Sequence, residues 1–216
     1  PPNAPFFRLQ IDEHGLRSEG APEELISEIE ASLQQVEETF MEEVSRGSYR
    51  TAIHEAVKHL VITGNSLLYV PEDGGVRVFH LDRYCVERDP MGNALYICTK
   101  ETLSYMSLSE EMREVAGANE GGAEDEVNLY TAVCRKPQGW KVWQEINGTV
   151  IPKSEGFYAL DKNPFIPLRF SRIDGEDYGR GYVEEYLGDL QSLESLSRSL
   201  VEGSAAAAKV LFLVNP

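Results

Sequence analysis

The chain has 216 residues, enough for one large domain or two small ones, and 42% hydrophobic residues with ten tyrosines and eight phenylalanines from which to build a core. Its formal net charge of −16 and pI of about 4.7 exclude tight wrapping of DNA by a basic face and disfavour anionic membrane surfaces. The odd, widely spaced set Cys85, Cys98 and Cys134, with no C-x-x-C, reads as free thiols made in a reducing compartment rather than as a disulfide framework.

In chain order, FFRLQI (6–11) alternates like a short strand. A helix follows over APEELISEIEASLQQVEETFMEEVSRG, with Pro22 in its first turn, Gly47 as C-cap and an apolar stripe of Leu25, Ile29, Leu33, Val36, Phe40 and Val44. Its remaining surface carries eight glutamates and one arginine, which reads as a solvated face or one turned toward a neighbouring subunit or a channel. SYRTAIHEAVKHLVITGN is a second helix, ended by Gly64-Asn65, with the stripe Ile53, Val57, Leu60 and Val61.

From SLLYV the period changes to two. SLLYVPEDGGVRVFHL and YCVERDPMGNALYICTK each read as a pair of strands around a turn. SLSEEMREVAG is a short helix with Ser107 as N-cap and Glu110 as its capping-box partner. After the acidic loop GANEGGAEDE, the stretch VNLYTAVCRKPQGWKVWQEINGTVI predicts three strands, the second turn being Asn147-Gly148. FIPLRFSRI is the next strand, and a long helix is expected over about Tyr182 to Ala208. Its stripe is Val183, Tyr186, Leu187, Leu190, Leu193, Leu196 and Leu200, and its small-residue end runs from Ser204 to Ala208. KVLFLVNP at the C-terminus reads as a final strand. The order of helices, antiparallel strands and a long helix defines an α+β chain. The expected parts are 1–64, an N-terminal strand and helices; 65–173, β-rich; and 174–216, a glycine hinge, long helix and final strand. The start at Pro1 and the β-prone end suggest a piece of a longer protein. There is no signal peptide and no apolar run of membrane-spanning length.

The search for chemistry centres on DGEDYGRGYVEEYLGDL, where Gly175, Gly179 and Gly181 precede a helix. A phosphate loop needs converging N–H groups, a lysine and a Ser/Thr. This loop instead carries Asp174, Glu176 and Asp177 against one arginine, Arg180. Gly175, Gly179 and Gly181 therefore read as a structural hinge, with Glu184 and Glu185 suited to the helix's positive end. No G-x-S-x-G or H-E-x-x-H occurs, and His54 and His59 are five apart, off one helix face. Asp82 with Asp89, or Asp174 with Asp177, could ligate a metal but read better as turn and cap residues. Trp140 and Trp143, three apart, should point to opposite sheet faces. No catalytic, cofactor or metal residue is selected. Two further classes stay open: an acidic interaction module, and a phosphate-binding enzyme built on the Gly175–Gly181 loop.

Three segments carry a family resemblance: SYRTAIHEAVKHLVITGNSLLYVPE, DRYCVERDPMGNALYI, and the stretch from PFIPLRFSRIDGEDYGRGYVEEYLGDL to Pro216. They are similar, in that order, to the portal (head-to-tail connector) proteins of short-tailed bacteriophages. The likeness covers most of the chain and is most specific at DGEDYGRGYVEEYLGDL. It implies a structural subunit of a ring, usually of twelve, at one capsid vertex of the virion, made in the host bacterial cytoplasm. Double-stranded DNA passes through such a ring without sequence-specific binding, during packaging by the terminase motor and during ejection. The implied partners are other copies of the chain, the terminase, the capsid, and scaffolding and tail adaptor proteins, with no membrane, cofactor or enzymatic activity. The β-rich region then corresponds to wing and clip and the helix from Tyr182 to a stem. Arg180, Tyr182, Ser204, Ala205 and Ala208 are candidate subunit-interface residues.

Overall fold

The structure is a computed structural model, describing residues 7–12, 17, 18, 20, 22–117 and 126–209. The chain divides into two compact units, residues 1–54 with 70–77, and residues 55–69 with 78–216.

The first unit is built on α1, Glu23–Arg46, with Pro22 at the N-cap and Gly47 at the C-cap. Ile26 and Glu37 are its buried residues, and the Glu37 carboxylate accepts the backbone N–H of Leu9. Residues 7–12 thus lie along a side chain of α1, and they belong to no strand, contrary to the alternation of FFRLQI. Phe7 meets Phe40 edge to face at 5.1 Å. The helix α2, Tyr49–Thr63, begins here, and its Tyr49 hydroxyl accepts the N–H of Gly75.

The second unit holds two antiparallel sheets. One has the order β2-β1-β9, from β1 (Asn65–Tyr69), β2 (Arg77–Phe79) and β9 (Phe165–Arg169). The other runs β3-β4-β5-β6-β7, from β3 (Tyr84–Arg88), β4 (Ala94–Ser104), β5 (Glu126–Lys136), β6 (Gly139–Ile146) and β7 (Thr149–Val150); β8 (Gly156–Tyr158), not foreseen, pairs with β6. Alternation sorts the side chains. In β3, Tyr84 and Val86 go inward while Cys85 and Glu87 face out. Leu67, Phe79, Tyr84, Val86, Ile97, Val133, Trp140 and Phe165 form one core, and Leu129, Ile146 and Ile151 a second. The hairpin β6–β7 turns at Asn147 and Gly148, both with positive φ (51° and 75°), as a type I′ turn demands. Trp140 is buried, its indole N–H donating to the Leu160 carbonyl, whereas Trp143 lies on the other face, 6.4 Å from Tyr96.

The short helix α3, Glu110–Ala116, is capped by Ser109, whose hydroxyl accepts the N–H of Met112. The expected cap, Ser107, instead donates to the Ser104 carbonyl in a preceding 3-10 turn. The long helix is interrupted: α4, Tyr182–Glu185, and α5, Leu187–Ala207, meet at Tyr186, whose φ of −109° and ψ of 21° leave the helical region. The expected final strand lies outside the described residues.

The helical stripes are present but stay uncovered within this chain. On α2 the buried residues are the small Ala52 and Ala56, while Ile53, Val57 and Val61 are exposed. On α5 nothing is buried; Leu187, Leu190, Leu193, Leu196, Leu200 and Val201 are all exposed. A helix of this length spans about 30 Å and, without a packed face, is marginal in water.

The core of the second unit should therefore carry its stability. Ile97→Ala, at a fully buried position, is expected to cost about 2–5 kcal/mol in denaturant unfolding. Leu196→Ala, on the exposed stripe, should change the isolated chain by less than about 0.5 kcal/mol.

Candidate functional site

The glycine loop is the point where the second unit ties its pieces together. Helix α2 ends at Gly64, whose φ is +77°, a conformation glycine adopts without cost. The chain then enters β1 at Asn65, which is buried. The Asn65 amide acts as a two-way clamp: its Nδ2 donates to the Gly179 carbonyl at 2.7 Å, and its Oδ1 accepts the Gly179 N–H at 2.7 Å. Nδ2 also donates to the Thr63 carbonyl. Beside it, Ser171 and Arg180 exchange both backbone hydrogen bonds, and Phe170 donates to the Gly64 carbonyl.

The backbones at this junction approach too closely for side chains. A Cβ on Gly64 would lie 2.2 Å from the Arg180 carbonyl carbon, one on Gly181 2.4 Å from the Ile62 oxygen, and one on Gly179 2.8 Å from the Ser171 oxygen. Neither Gly179 nor Gly181 has positive φ; Gly181 is extended, at −101°. What demands glycine at these two positions is proximity rather than conformational freedom. Gly175 differs, with φ +77° and open space around it.

Three of the loop's charged residues, Glu176, Asp177 and Arg180, are engaged. Glu176 and Glu184 both pair with the Arg180 guanidinium, which is held above its ordinary pKa by Glu176 first and Glu184 next. Asp177 accepts the N–H of Arg88 at 2.7 Å, and the Tyr178 hydroxyl accepts the N–H of Val86 at 3.1 Å. The Arg88 side chain donates to three carbonyls, those of Asp177, Gly92 and Pro167. Arg169 donates to the carbonyls of Glu176 and Gly92, and Arg172 to that of Met91. Burial lowers the Arg88 pKa, followed by the charge of Arg169 and, further down, that of Arg172; the guanidinium still stays charged near neutrality. This arginine corner and the Asn65 clamp escaped the sequence reading. The signal available was the concentration of Arg169, Arg172 and Arg180 beside the loop in a strongly acidic chain.

The other candidates sit apart from one another. The Asp82 carboxylate contacts His80 Nδ1, while Asp89 accepts from the backbone and side chain of Asn93, which holds its carboxyl below the usual range. His80 meets His59 edge to face at 4.8 Å. Among the described residues, no group of three His, Cys, Asp or Glu is placed to hold a metal ion, and no helix is long and apolar enough to cross a membrane. Tyr182 packs on Phe170 at 4.9 Å and is half-exposed; Ser204, Ala205 and Ala208 are exposed at the far end of α5.

A family model described as "Bacteriophage head to tail connecting protein" matches residues 1–216, and the chain belongs to that family. It is 35% identical to the portal protein of Escherichia phage T7, over the whole of this chain and 42% of that protein. The portal protein of Enterobacteria phage T3 is also 35% identical, over the whole chain and 42% of its own length, and that of Enterobacteria phage SP6 31%, over the whole chain and 43%. The chain thus spans about two fifths of the length of these relatives.

Asn65→Ala should be costly, because it leaves the Gly179 N–H and carbonyl without their buried partner. A loss of about 2–4 kcal/mol is expected in urea unfolding. Asn65→Asp, which keeps the acceptor but sets a carboxylate against the Gly179 oxygen, should not rescue it. Gly181→Ala should destabilise by about 1–3 kcal/mol through overpacking, more than Gly175→Ala, which meets only the unfavourable φ, at about 1 kcal/mol.

Proposed function

We propose that this chain is the β-rich body and stem of a portal subunit, the head-to-tail connector through which a phage's double-stranded DNA is packaged and later leaves the capsid. The observation that carries this reading is the family match over all 216 residues. Two physical features support it. The unburied leucine stripe of α5 is what a helix packed among neighbouring subunits requires. A net charge of −16 gives a DNA column few phosphate contacts to stick to.

In this reading residues 1–64 are the helical part of the wing, 65–173 the wing and clip, and 174–216 carry the hinge and stem. Gly175, Gly179 and Gly181 set the angle at which the stem leaves the sheets. Arg180, Tyr182, Ser204, Ala205 and Ala208 meet the neighbouring copy. Other copies of the chain, in a closed ring of about twelve as the family resemblance implies, are the first partners. The terminase motor, the capsid, and scaffolding and tail adaptor proteins are the others. The site of action is the portal vertex of the virion, after synthesis in the bacterial cytoplasm. The chain itself performs no hydrolysis or group transfer.

Negative-stain microscopy of the full-length parent should show closed rings; a protein that stays monomeric at micromolar concentration overturns the proposal. Titration of the chain with ATP and Mg²⁺ should release no heat, and low-micromolar binding would count against a purely structural role. Duplex DNA should bind the isolated chain more weakly than about 1 μM at physiological salt, whereas sub-micromolar affinity would contradict the low-adhesion channel.

A further inference from the structure

We propose that Cys85 and Cys98 are a cross-strand redox pair that closes to a disulfide by exchange with a small oxidised disulfide such as oxidised glutathione. In the β3–β4 ladder Cys85 stands directly opposite Cys98. Residues directly opposed in an antiparallel pair have Cα atoms about 4.5 or 5.5 Å apart, depending on which kind of pair they form, and both separations fall within the range of about 4.4–6.8 Å that a disulfide spans. The two side chains share one face of the sheet, since opposed residues point the same way. Both are free thiols; Cys85 is exposed and Cys98 half-buried. Burial pushes the Cys98 thiol up, with the nearby Cys85 as the next cause.

The third cysteine is the natural control. Cys134 stands opposite Tyr96 in the β4–β5 ladder, so it is only a diagonal neighbour of Cys98, whose own opposite residue is Ala132. Its separation from Cys98 is that of a diagonal pair, about 7–8 Å, outside disulfide reach without backbone movement.

The difference in exposure sets the order of events. The Cys85 thiol loses its proton, and the thiolate attacks one sulfur of oxidised glutathione. A Cys85–glutathione mixed disulfide forms, and one glutathione leaves as thiolate. The Cys98 thiol then loses its proton, and its thiolate attacks the Cys85 sulfur. The Cys85–Cys98 bond forms and the second glutathione leaves. Two protein thiols are oxidised and one glutathione disulfide is reduced to two thiols. The second step depends on the Cys98 thiolate, so closure should quicken as pH rises. β3 is an edge strand, and the bond would fasten it covalently to β4, in an oxidising medium but not in a reducing cytoplasm.

The test is mass spectrometry of the folded chain after incubation with oxidised glutathione, with peptide mapping under non-reducing conditions. The wild-type chain should lose the mass of two hydrogen atoms and yield a peptide pair joining Cys85 to Cys98. Cys134→Ser should behave identically. Cys98→Ser should stop at a stable glutathione adduct on Cys85. Glutathione adducts that persist on the wild-type chain without an internal bond, or a bond joining Cys98 to Cys134, overturn the proposal. Alkylation of all three cysteines at one rate, with no closure at any pH between 7 and 9, overturns it equally.

Discussion

The second unit depends on two hydrogen bonds between one side-chain amide and one peptide unit. Asn65 holds both the N–H and the carbonyl of Gly179 across a sequence separation of 114 residues. Asn65 is buried, so any residue unable to offer both a donor and an acceptor would leave a polar group of the loop unsatisfied. The clamp also fixes where the glycines must lie. Once Gly179 is drawn against Asn65, the chain passes within van der Waals distance of the end of α2, and Gly64 and Gly181 have no room for a Cβ. The start of α4 is therefore tied to the β1–β9 sheet by close backbone approach and the Asn65 amide, together with the packing of Tyr182 on Phe170.

From that anchor the loop reaches the other sheet. Asp177 and Tyr178 accept the N–H groups of Arg88 and Val86 on β3. β3 is an edge strand, and unpaired edge N–H groups are templates for unwanted strand pairing. Here side chains of the glycine loop occupy two of them. One segment thus joins helix, first sheet and second sheet, and within it the Glu176 carboxylate pairs with Arg180 while that of Asp177 accepts a backbone N–H.

The sequence made much of this legible. Period-two stretches gave the hairpins, because alternation and the Asn147-Gly148 turn are local signals. Helix α1 could be bounded by Pro22 and Gly47 for the same reason. What escaped was non-local. Nothing near Asn65 in the sequence says that its amide will meet Gly179, and nothing near Arg88 points to carbonyls at Gly92 and Pro167. The glycines of the loop were visible as a cluster, but the reason for them differs: close approach at Gly179 and Gly181, backbone conformation at Gly175. The helical stripes were correctly seen as apolar, yet periodicity says that a face is to be buried, not that the same chain will bury it. The N-cap was misplaced by two residues because Ser107 and Ser109 offer the same hydroxyl, and only the 3-10 turn before the helix decides between them.

Arg88 has a consequence for how the strand finds its place. Its own N–H and its guanidinium supply four donors to the Asp177 carboxylate and to the carbonyls of Asp177, Gly92 and Pro167. Its neighbours in the sequence are Glu87 and Asp89. A slip of β3 by one residue in either direction would bring a carboxylate, which can only accept, up to that ring of oxygens. It would also turn Tyr84 and Val86 out of the core. The misaligned strand is thus penalised twice, once by repulsion and once by exposed apolar surface, so the side chain acts as a proofreader of its own backbone's alignment.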